Sequence, residues 1–444
     1  MKKVTILGLF IAGSALAQSR LPLTVDKAVE LGIENSKTLH SSLMKVEYAD
    51  AKAGEINASR LPSLKFSGGY TRLSDIPPGA AVIPANAFGA GLPPQTLSVP
   101  LTQTILDNYT LRATVQQPIF TGFRMDAMSS AADYTAEAQN FDYAQDKSDL
   151  VYNIKVAYWS LYKAIQIKSV VDENVEQVKA HLKDVQNMMD QGMTTNNDVL
   201  KVEVQLSDVQ LKQIDAKNAV RLAMIALDNT IGIPLSTEIE LKSGVAHTPK
   251  DYGDLNQLIT QAMDKRPELK AMDSRVKAGE AGVTAARSGW FPQIYLSGNY
   301  YYSRPNQRLF PSQDVFKDTW DVTVGVSLDI WNWGQTLHQT DQAQAQLAQA
   351  QDALGQMQDG ITLDLTQAYL NLQQAKERID VAEQGVKQAE ENHRVTSKRF
   401  NAGLASTSDL LDAEVALLQA KTNQTNSIVD YALAQARIEK SIGE

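Results

Sequence analysis

Four stretches of the chain alternate apolar and polar residues position by position. The clearest is WDVTVGVSLDIW, whose apolar set runs from Trp320 through Val324 and Val326 to Ile330. Such alternation is typical of a strand with one apolar and one polar face. Each stretch is long enough to cross a bilayer when tilted, which takes about 9 to 11 residues. The four predicted strands lie near 63–72, 109–118, 293–303 and 319–330.

Aromatic residues lie where these strands would end. One group contains Tyr70, Tyr109, Tyr300 and Trp320, and the other contains Trp331 and Trp333. Aromatic belts at both membrane interfaces are typical of outer-membrane barrels, and a small soluble sheet packed on helices is the alternative explanation. Four strands cannot close a barrel, because about eight is the practical minimum. We therefore predict a sheet shared between chains, with eight strands from two copies or twelve from three.

Between the strands, apolar residues recur at every third or fourth position over very long tracts. In the second half the series begins at Ala343 and Leu347 and continues to Ala389. This period predicts a coiled-coil-like helix over 334–400, and the first half carries an equally long tract at 125–191. At about 1.5 Å per residue each helix would reach roughly 100 Å, which predicts a tube or a rod.

Glycine ends both long tracts. The residues at the two ends are Gly192, Met193 and Thr194 in the first half and Gly403, Leu404 and Ala405 in the second. Glycine commonly follows the last residue of a helix, so we predict a helical hairpin in each half with its tip at these residues. Asp198 and Asp409 each follow a hydroxyl residue by three positions, which is the spacing of a capping box with Asp in place of the usual Glu.

The two halves of the chain resemble each other. Gly192 matches Gly403 at an offset of 211 positions, whereas Tyr70 matches Tyr300 at an offset of 230. The larger offset locates an insertion in the first half, at 76–100, whose prolines and glycines predict a loop. We therefore predict an internal two-fold repeat of one architectural unit. Its parts are a first repeat at 18–232, a connecting segment at 233–254 and a second repeat at 255–444.

The N-terminus has the layout of a secretory signal peptide over residues 1–17, with Lys2 and Lys3, an apolar run at 4–12 and a cleavage site ending at Ala17. Beyond it no apolar run reaches about 18 residues, so a chain of this sequence that crosses a membrane must do so as a barrel. The formal net charge of -9 argues against nucleic-acid binding. The absence of cysteine excludes disulfides, a thiol nucleophile and a lipid anchor on cysteine.

Motifs of catalysis are absent from the sequence. It contains no G-x-S-x-G, H-E-x-x-H, P-loop or C-x-x-C pattern, so we predict neither an enzyme nor a bound cofactor. The histidines show no metal-ligand spacing, and we interpret them as residues of solvated helix faces rather than a metal site. They are His40, His181, His247, His338 and His393. Met188, Met189 and Met193 favour gap filling between helices over a soft-metal site.

Three segments carry a resemblance to a known family. They are PIFTGFR at 118–124, DIWNWGQ at 329–335 and RFNAGLASTSDLLDAEVALLQAK at 399–421. Together with the repeated halves, they resemble the TolC-like outer-membrane efflux protein family, the outer-membrane factors of tripartite export systems. The resemblance covers essentially the whole chain after the signal peptide, and the third segment is its most specific part.

The resemblance implies an α+β membrane protein that forms a homotrimer. Each chain would give four strands to one twelve-stranded β-barrel in the outer membrane of a Gram-negative bacterium, and long helices would continue the barrel as a periplasmic tunnel. The implied function is a passive export channel, the efflux duct of a tripartite drug-efflux or type I secretion system. The implied partners are outer-membrane lipid, a periplasmic adaptor (membrane fusion) protein and an inner-membrane transporter.

The resemblance also implies roles at the hairpin tips. The tip residues from Gly192 to Thr194 and from Gly403 to Ala405 are the expected docking surface for the adaptor, with simple turn chemistry as the alternative. Asp409 and Asp412 match the positions of an acidic ring at the periplasmic entrance, and Asp198 is its counterpart in the first half. We expect this ring to gate the channel and attract cations, with helix capping by Asp198 and Asp409 as the alternative. Ala405 stands where the resemblance suggests a basic latch residue.

The helices by themselves leave a different class of protein open. A soluble periplasmic coiled-coil adaptor or scaffold protein would need the long helices without the membrane strands. The four alternating strands with aromatic ends favour the channel, because an adaptor needs no lipid-facing strands. Three classes of cargo stay open, namely a drug, a metal ion and a secreted protein.

Overall fold

The computed structural model describes residues 21–75, 80–83, 97–100, 105–245 and 252–443. The predicted signal peptide and His247 lie outside the described residues. The first half consists of β1 (Leu21–Leu23), α1 (Val25–Asn35), α2 (Lys37–Ala58), β2 (Ser63–Arg72), β3 (Ala80–Ile83), β4 (Leu97–Pro100), β5 (Asp107–Thr121), α3 (Arg124–Asp190) and α4 (Asn196–Ile231). The second half consists of β6 (Ile239–Leu241), α5 (Leu255–Lys265), α6 (Pro267–Arg287), β7 (Gln293–Arg304), β8 (Lys317–Ser327), α7 (Gln335–Asn401) and α8 (Thr407–Ser441).

The two long apolar tracts form single helices of equal length. α3 and α7 each contain 67 residues. The predicted apolar series of α7, from Ala343 and Leu347 to Ala389, is buried or half-buried at every position. The helical interpretation of this series is therefore confirmed. Within the described residues, no helix has both the length and the apolar content needed to cross a membrane.

Four strands form one antiparallel sheet in the order β2, β5, β7, β8. The pair of β5 and β7 lies in the middle and joins strands from the two halves of the chain. The ladders place Leu64 of β2 opposite Val115 of β5 and Leu296 of β7 opposite Val324 of β8. The outer edges of β2 and β8 carry no further strand from the described parts of the chain.

The last strand is shorter than the alternation predicts. The alternating pattern continues to Ile330, but β8 ends at Ser327, whose partner on β7 is Gln293. β7 begins at Gln293 because Pro292 precedes it, and proline has no N–H with which to continue the ladder. The predicted strand near 319–330 is therefore wrong over its last three residues.

The inserted segment at 76–100 is not entirely a loop. It contains a short antiparallel hairpin of β3 and β4, with Ile83 paired to Leu97. β-branched residues such as Val82 and Val99 favour extended backbone. The prediction of a loop is wrong for these two strands, and the remainder of the insertion lies outside the described residues.

The chain divides into two compact units. The helical unit comprises the described parts of Met1–Lys45, Asn140–Ala271 and Leu354–Glu444, and the sheet unit comprises those of Val46–Gln139 and Met272–Ala353.

Hydrophobic cores within the helical unit join residues that are distant in the sequence. One core forms around Leu365 and Ile438, and another forms around Tyr158. The Tyr158 hydroxyl donates to the Leu23 carbonyl at 3.1 Å and accepts from the Ser243 amide at 3.0 Å. These bonds attach the short parallel pair of β1 and β6 to α3.

Candidate functional site

One face of the four-stranded sheet is apolar and exposed. On β8, Val322, Val324 and Val326 expose 63%, 69% and 67% of their surface. On β2, Leu64 and Phe66 expose 75% and 70%. The described residues of this chain therefore leave the apolar face uncovered. Soluble proteins rarely leave a large contiguous apolar surface open, so this face is a candidate surface for contact with lipid.

The first predicted group of aromatic residues lies on this apolar face. Tyr70 of β2 lies opposite Tyr109 of β5, with ring centroids 5.0 Å apart. Tyr300 of β7 lies opposite Trp320 of β8. The ladders thus bring these residues together in two pairs.

The second aromatic group follows β8. Trp331 and Trp333 expose 74% and 86% of their surface, and their rings contact each other at a centroid distance of 5.7 Å. A further cluster, which contains Phe120, Phe123 and Phe291, stacks edge to face at distances of 5.3 and 5.6 Å. Large exposed aromatic side chains of this kind suit the boundary between lipid and water.

The opposite face of the sheet is polar and carries a hydrogen-bonded chain of side chains across three strands. Arg112 of β5 donates to the side-chain oxygen of Asn299 on β7 at 2.7 and 3.1 Å. Asn299 in turn donates to Asp321 of β8 at 2.7 Å. Arg308, in the connection between β7 and β8, contacts the same carboxylate at 3.3 Å. The prediction of one apolar and one polar face is confirmed.

Both helical hairpins end in the same backbone geometry. Gly192 has a φ of 72°, and the N–H of Met193 donates to the Met188 carbonyl at 2.8 Å. Gly403 has the same φ and the same pattern of bonds. A Cβ would meet no neighbour within 4 Å at either glycine. The left-handed backbone of the turn, rather than crowding, therefore requires glycine at these two positions.

The side chains after the tip glycines differ in exposure. Met193 and Leu404 expose 63% and 69% of their surface, whereas Thr194 and Ala405 are half-buried. Ala405 packs against the hydrophobic core shared by the two tips. Of the predicted docking residues, Met193 and Leu404 therefore present the largest apolar surfaces to a partner.

Asp198 is held by its own hairpin. Its carboxylate accepts hydrogen bonds from the hydroxyls of Thr195 and Thr194 at 2.7 and 3.0 Å, and the Lys201 ammonium lies at 3.2 Å. These bonds, that of the Thr195 hydroxyl above all, lower the pKa of Asp198 to about 2. The predicted capping box at Thr195 is confirmed. The Asp198 carboxylate is therefore already hydrogen-bonded within its own chain.

Asp409 and Asp412 differ in what they bind. The Asp409 carboxylate accepts from the Ser406 amide at 2.8 Å, and the Asp409 amide donates to the Ser406 hydroxyl at 3.2 Å. The bond from the Ser406 amide is the main cause that lowers the pKa of Asp409, and the predicted capping box is confirmed. Asp412 is exposed, and within the part of the chain that the structure describes its carboxylate has no hydrogen-bond or ionic partner.

A basic residue that the sequence reasoning missed lies at the second tip. The Arg399 guanidinium donates to the Leu404 carbonyl at 3.3 Å, and its positive charge contributes to the lowered pKa of Asp409. The sequence contained a signal for this role, because Arg399 lies in the last turn of α7, where the helix dipole favours a positively charged side chain. Positive charge is therefore present at this tip although position 405 is alanine.

The two hairpin tips share a hydrophobic core. Val185 and Val199 of the first hairpin pack with Phe400 and Leu410 of the second, and each of these side chains is at most 5% exposed. Tertiary packing thus brings together two tips that lie 211 positions apart in the sequence.

His181 and Glu414 lie beside this core. They expose only 4% and 2% of their surface, and the His181 Nδ1 is 3.4 Å from a Glu414 carboxylate oxygen. The His181 ring also contacts the Phe400 ring edge to face. The interpretation of His181 as a residue of a solvated helix face is therefore wrong. Its position three residues after Val178 and four before Val185 could have revealed its burial, because this is the spacing of a buried helix face.

The other candidate metal ligands are dispersed. His40 and His338 are exposed, and His393 is half-buried. Met188 and Met189 pack partly buried against the core shared by the tips, which is the expected role of methionine as a gap filler. Across the described ranges, no three His, Asp or Glu side chains form a group that could hold a metal ion.

The sequence is similar to known outer-membrane proteins. The family model for outer membrane efflux proteins matches residues 29–233 and 258–444. The chain is 23% identical to the outer membrane protein TolC of Escherichia coli (strain K12), with 100% of this chain and 87% of TolC covered. It is also 24% identical to Protein CyaE of Bordetella pertussis over 65% of this chain. That alignment spans only 56% of CyaE.

The fold is similar to that of a solved outer-membrane protein. The outer membrane protein VceC from Vibrio cholerae superposes with a TM-score of 0.77, over 94% of this chain and 96% of VceC. The sequence identity of the pair is 18%, so this likeness establishes the fold and no more.

Proposed function

Because the chain belongs to the outer membrane efflux protein family, we propose that it is a passive export duct in the outer membrane of a Gram-negative bacterium. Members of this family are outer-membrane channels of efflux or secretion systems rather than enzymes. In the proposal, three copies share one β-barrel in the membrane, and their long helices form a periplasmic tunnel. An inner-membrane transporter supplies the energy, and a periplasmic adaptor connects it to the duct.

The observation that carries this proposal is the exposed apolar face of the sheet. Residues such as Phe66 and Val324 are about two-thirds exposed or more, while the other face holds the bonded chain of Arg112, Asn299 and Asp321. A sheet with one face in lipid and the other facing a water-filled lumen requires this division. A soluble periplasmic adaptor gains nothing from it, because the exposed apolar face would promote aggregation.

The free edges of the sheet support assembly with further copies. An antiparallel sheet whose outer strands β2 and β8 have edges that no described strand of this chain pairs with can add a strand from another chain on each side. Four strands per chain are too few to close a barrel, and three copies supply twelve. In the proposed trimer, β2 of one copy pairs with β8 of the next.

Exposed apolar residues along α4 support the same assembly. Val204, Leu211 and Ile214 expose 63%, 61% and 64% of their surface, and their spacing of seven and three residues gives them one helix face. An apolar stripe of this kind is stable when a partner helix covers it. We assign that partner to the neighbouring copy, which extends the shared structure from the barrel into the tunnel.

The common order of elements supports an internal duplication. Both halves contain a short helix, a longer helix, strands of the four-stranded sheet and a helical hairpin whose first helix has 67 residues. We propose a first repeat at 18–232, a connecting segment at 233–254 and a second repeat at 255–444. Residues 1–17 act as the signal peptide in this proposal.

The hairpin tips are the proposed docking surface for the adaptor. Met193 and Leu404 supply exposed apolar side chains on the turns formed at Gly192 and Gly403. Such preformed turns limit the entropy lost on binding. Thr194 and Ala405 complete the surface as half-buried neighbours.

The periplasmic entrance is the proposed gate. Three copies bring the carboxylates of Asp409 and Asp412 around one axis, where they attract cations. Asp198 contributes less, because Thr195, Thr194 and Lys201 already engage its carboxylate. Arg399, which contacts the Leu404 carbonyl, supplies the positive charge that position 405 lacks.

The proposal is tested by locating the protein and measuring its conductance. The full chain is expressed with its signal peptide in a Gram-negative host, and the outer-membrane fraction is examined by electrophoresis with and without heating. We expect a trimer that dissociates on heating and that produces discrete conductance steps when the purified trimer is added to a planar bilayer. Recovery as a soluble periplasmic protein without conductance would overturn the channel in favour of the adaptor.

A further inference from the structure

The polar face of the sheet is strongly biased toward positive charge. Alternation places every second residue of β2, β5, β7 and β8 on this face, as the ladder registers require. The charged side chains among them, over these four strands, are Lys65, Arg112, Lys317 and Asp321. Three of the four are basic, whereas the residues of the proposed periplasmic gate are acidic.

The single carboxylate on this face does not neutralise the basic residues. Asp321 accepts a hydrogen bond from Asn299 at 2.7 Å and forms an ion pair with Arg308 of the following connection at 3.3 Å. Arg308 therefore compensates the charge of Asp321. The charges that are left on the polar face are those of the three basic residues.

Arg112 is held in position by neutral groups. The Asn299 side-chain oxygen accepts two bonds from Arg112 and a third from the Thr114 hydroxyl at 2.9 Å. The guanidinium also lies 5.2 Å from the centre of the Tyr301 ring. Asn299 is 8% exposed, so this support is buried. Within the described residues Arg112 has no carboxylate partner, and its position is fixed while its charge stays uncompensated.

Lys65 lies near Arg112 on the same face. Lys65 is opposite Thr114, and the neighbouring pair on this face is Ser67 and Arg112. Lys65 is exposed, and no carboxylate of the described residues pairs with it. The two positive charges thus stand on adjacent strands, two residues apart in register, within the predicted membrane segment.

We infer that Lys65 and Arg112 form an anion-attracting ring inside the membrane-spanning part of the channel. The inference rests on the proposed function, because three copies bring six of these charges around one axis. Rings of charged side chains determine the selectivity of pores, and charge of one sign between low-dielectric walls raises the local concentration of ions of the opposite sign. The ring favours small anions and the carboxylate, sulfate or phosphate groups of a passing cargo.

The membrane segment and the periplasmic mouth of the proposed duct therefore have opposite charge preferences. The acidic periplasmic mouth attracts cations, whereas the basic ring in the membrane segment attracts anions. Arg112 and Lys65 are then specificity-determining residues for export. Their effect is separable from that of Asp409 and Asp412, since the two sets act on ions of opposite charge.

The test measures reversal potentials in planar bilayers across a potassium chloride gradient. Arg112→Gln with Lys65→Gln removes the ring, and the glutamine at 112 keeps a side-chain N–H for Asn299. Arg112→Lys with Lys65→Arg is the control that keeps both charges. Each pair is measured alone and together with Asp409→Ala and Asp412→Ala, which remove the acidic mouth. We expect the Gln pair to shift the reversal potential toward the equilibrium potential of potassium, both with and without the acidic mouth. The charge-keeping pair should leave the reversal potential unchanged.

A second readout locates the ring along the pore. Inorganic tripolyphosphate added on the extracellular side should block the unmodified channel and the channel without the acidic mouth, and it should lose this effect on the Gln pair. If Arg112→Gln prevents assembly, Lys65→Gln alone should give a smaller shift in the same direction, since Lys65 is exposed and supports no other side chain.

The outcomes separate the inference from the proposed function. A conducting trimer of the Gln pair with unchanged reversal potential and unchanged block would overturn the ring and leave the channel intact. The absence of any conductance in the unmodified protein would overturn the channel itself, and the inference with it.

Discussion

His181 and Glu414 lie 3.4 Å apart in the interior shared by the two hairpin tips, on helices α3 and α8. Both side chains are almost fully buried. The nearest aromatic neighbour, Phe400, comes from α7, so three long helices meet at this pair. Removing one partner of a buried hydrogen-bonded pair leaves the polar group of the other unsatisfied, whereas replacing both partners by apolar residues can be nearly neutral.

The first prediction concerns this pair. Glu414→Leu should lower the free energy of unfolding by about 1 to 3 kcal/mol, because the buried Nδ1 of His181 would lose its hydrogen-bond partner. Glu414→Leu combined with His181→Leu should recover most of that loss. The measurement is thermal unfolding of the unmodified protein, the single variant and the double variant in the same detergent, followed through the circular dichroism of the helices.

The matched control for this pair is Glu203→Leu. Glu203 occupies the position equivalent to Glu414 in the first half, but it is exposed. Its replacement should change stability by less than about 0.5 kcal/mol. Equal destabilisation by the single and the double replacement would show that His181 and Glu414 do not act as a pair.

The second prediction concerns the lipid-facing side of the sheet. Val324→Arg or Val326→Arg should reduce assembly, because a charge facing the middle of a bilayer costs about 2 to 4 kcal/mol in barrels of this kind. Thr323→Arg is the control, since Thr323 lies on the polar face opposite Ser297. The amount of heat-dissociable trimer in outer-membrane fractions is the measurement, and equal amounts for all three variants would refute the assigned faces.

The third prediction concerns docking. Leu404→Arg should abolish export while leaving the trimer folded, because Leu404 is 69% exposed and its side chain supports no other residue of the hairpin core. Gln419→Arg, an exposed change further along α8, is the control for added charge. Adaptor cross-linking and export are measured together, and a Leu404→Arg variant that retains both would exclude the tip as a docking surface.

The fourth prediction concerns the gate. Asp409→Ala with Asp412→Ala should remove block by a trivalent cation added on the periplasmic side of a planar bilayer. Asp412→Ala alone is the sharper test, because Asp409 also caps α8, and loss of a cap lowers stability by about 0.5 to 2 kcal/mol.

Asp198→Ala is the comparison for the gate. It should weaken the block less than Asp412→Ala, because the Asp198 carboxylate is already engaged by Thr195 and Lys201. Unchanged block and ion selectivity in the double variant of Asp409 and Asp412 would leave helix capping as the role of Asp409 and exclude Asp412 from the gate.

The fifth prediction concerns Asp228, a fully buried residue of α4 whose carboxylate has no hydrogen-bond partner among the described residues. Burial raises its pKa from 3.8 to about 6. Between about pH 4 and pH 6 the unfolded chain loses this proton while the folded chain keeps it, so stability falls as the pH rises. Above this range the penalty is constant at about 3 kcal/mol.

Asp228→Asn should therefore raise the midpoint of thermal unfolding at pH 7.5 and leave it nearly unchanged at pH 4. The measurement is the midpoint of thermal unfolding as a function of pH, for the unmodified protein and for Asp228→Asn in the same detergent. A pH-independent difference between them would show that Asp228 does not titrate in this range.

Several features of the molecule could be predicted from local sequence patterns. The two faces of β8 follow from the alternation of Val324 and Thr323, and the length of α7 follows from its three-and-four spacing. The tip turns follow from Gly192 and Gly403, because only glycine adopts their backbone readily. The candidate docking residues lie at the turns that these glycines mark, whereas the gate residues could be named only through the family resemblance.

Other features were decided only by the tertiary structure. The central pairing of β5 with β7 brings Arg112 next to Asn299, 187 residues away, and packing of the two hairpins brings His181 next to Glu414. The burial of Asp228 and the proximity of Arg399 to Asp409 likewise depend on how helices pack. The physical reason is that strand and helix periods are set by neighbouring residues along the chain, whereas the partner of a side chain is set by contacts between segments that the local pattern does not specify.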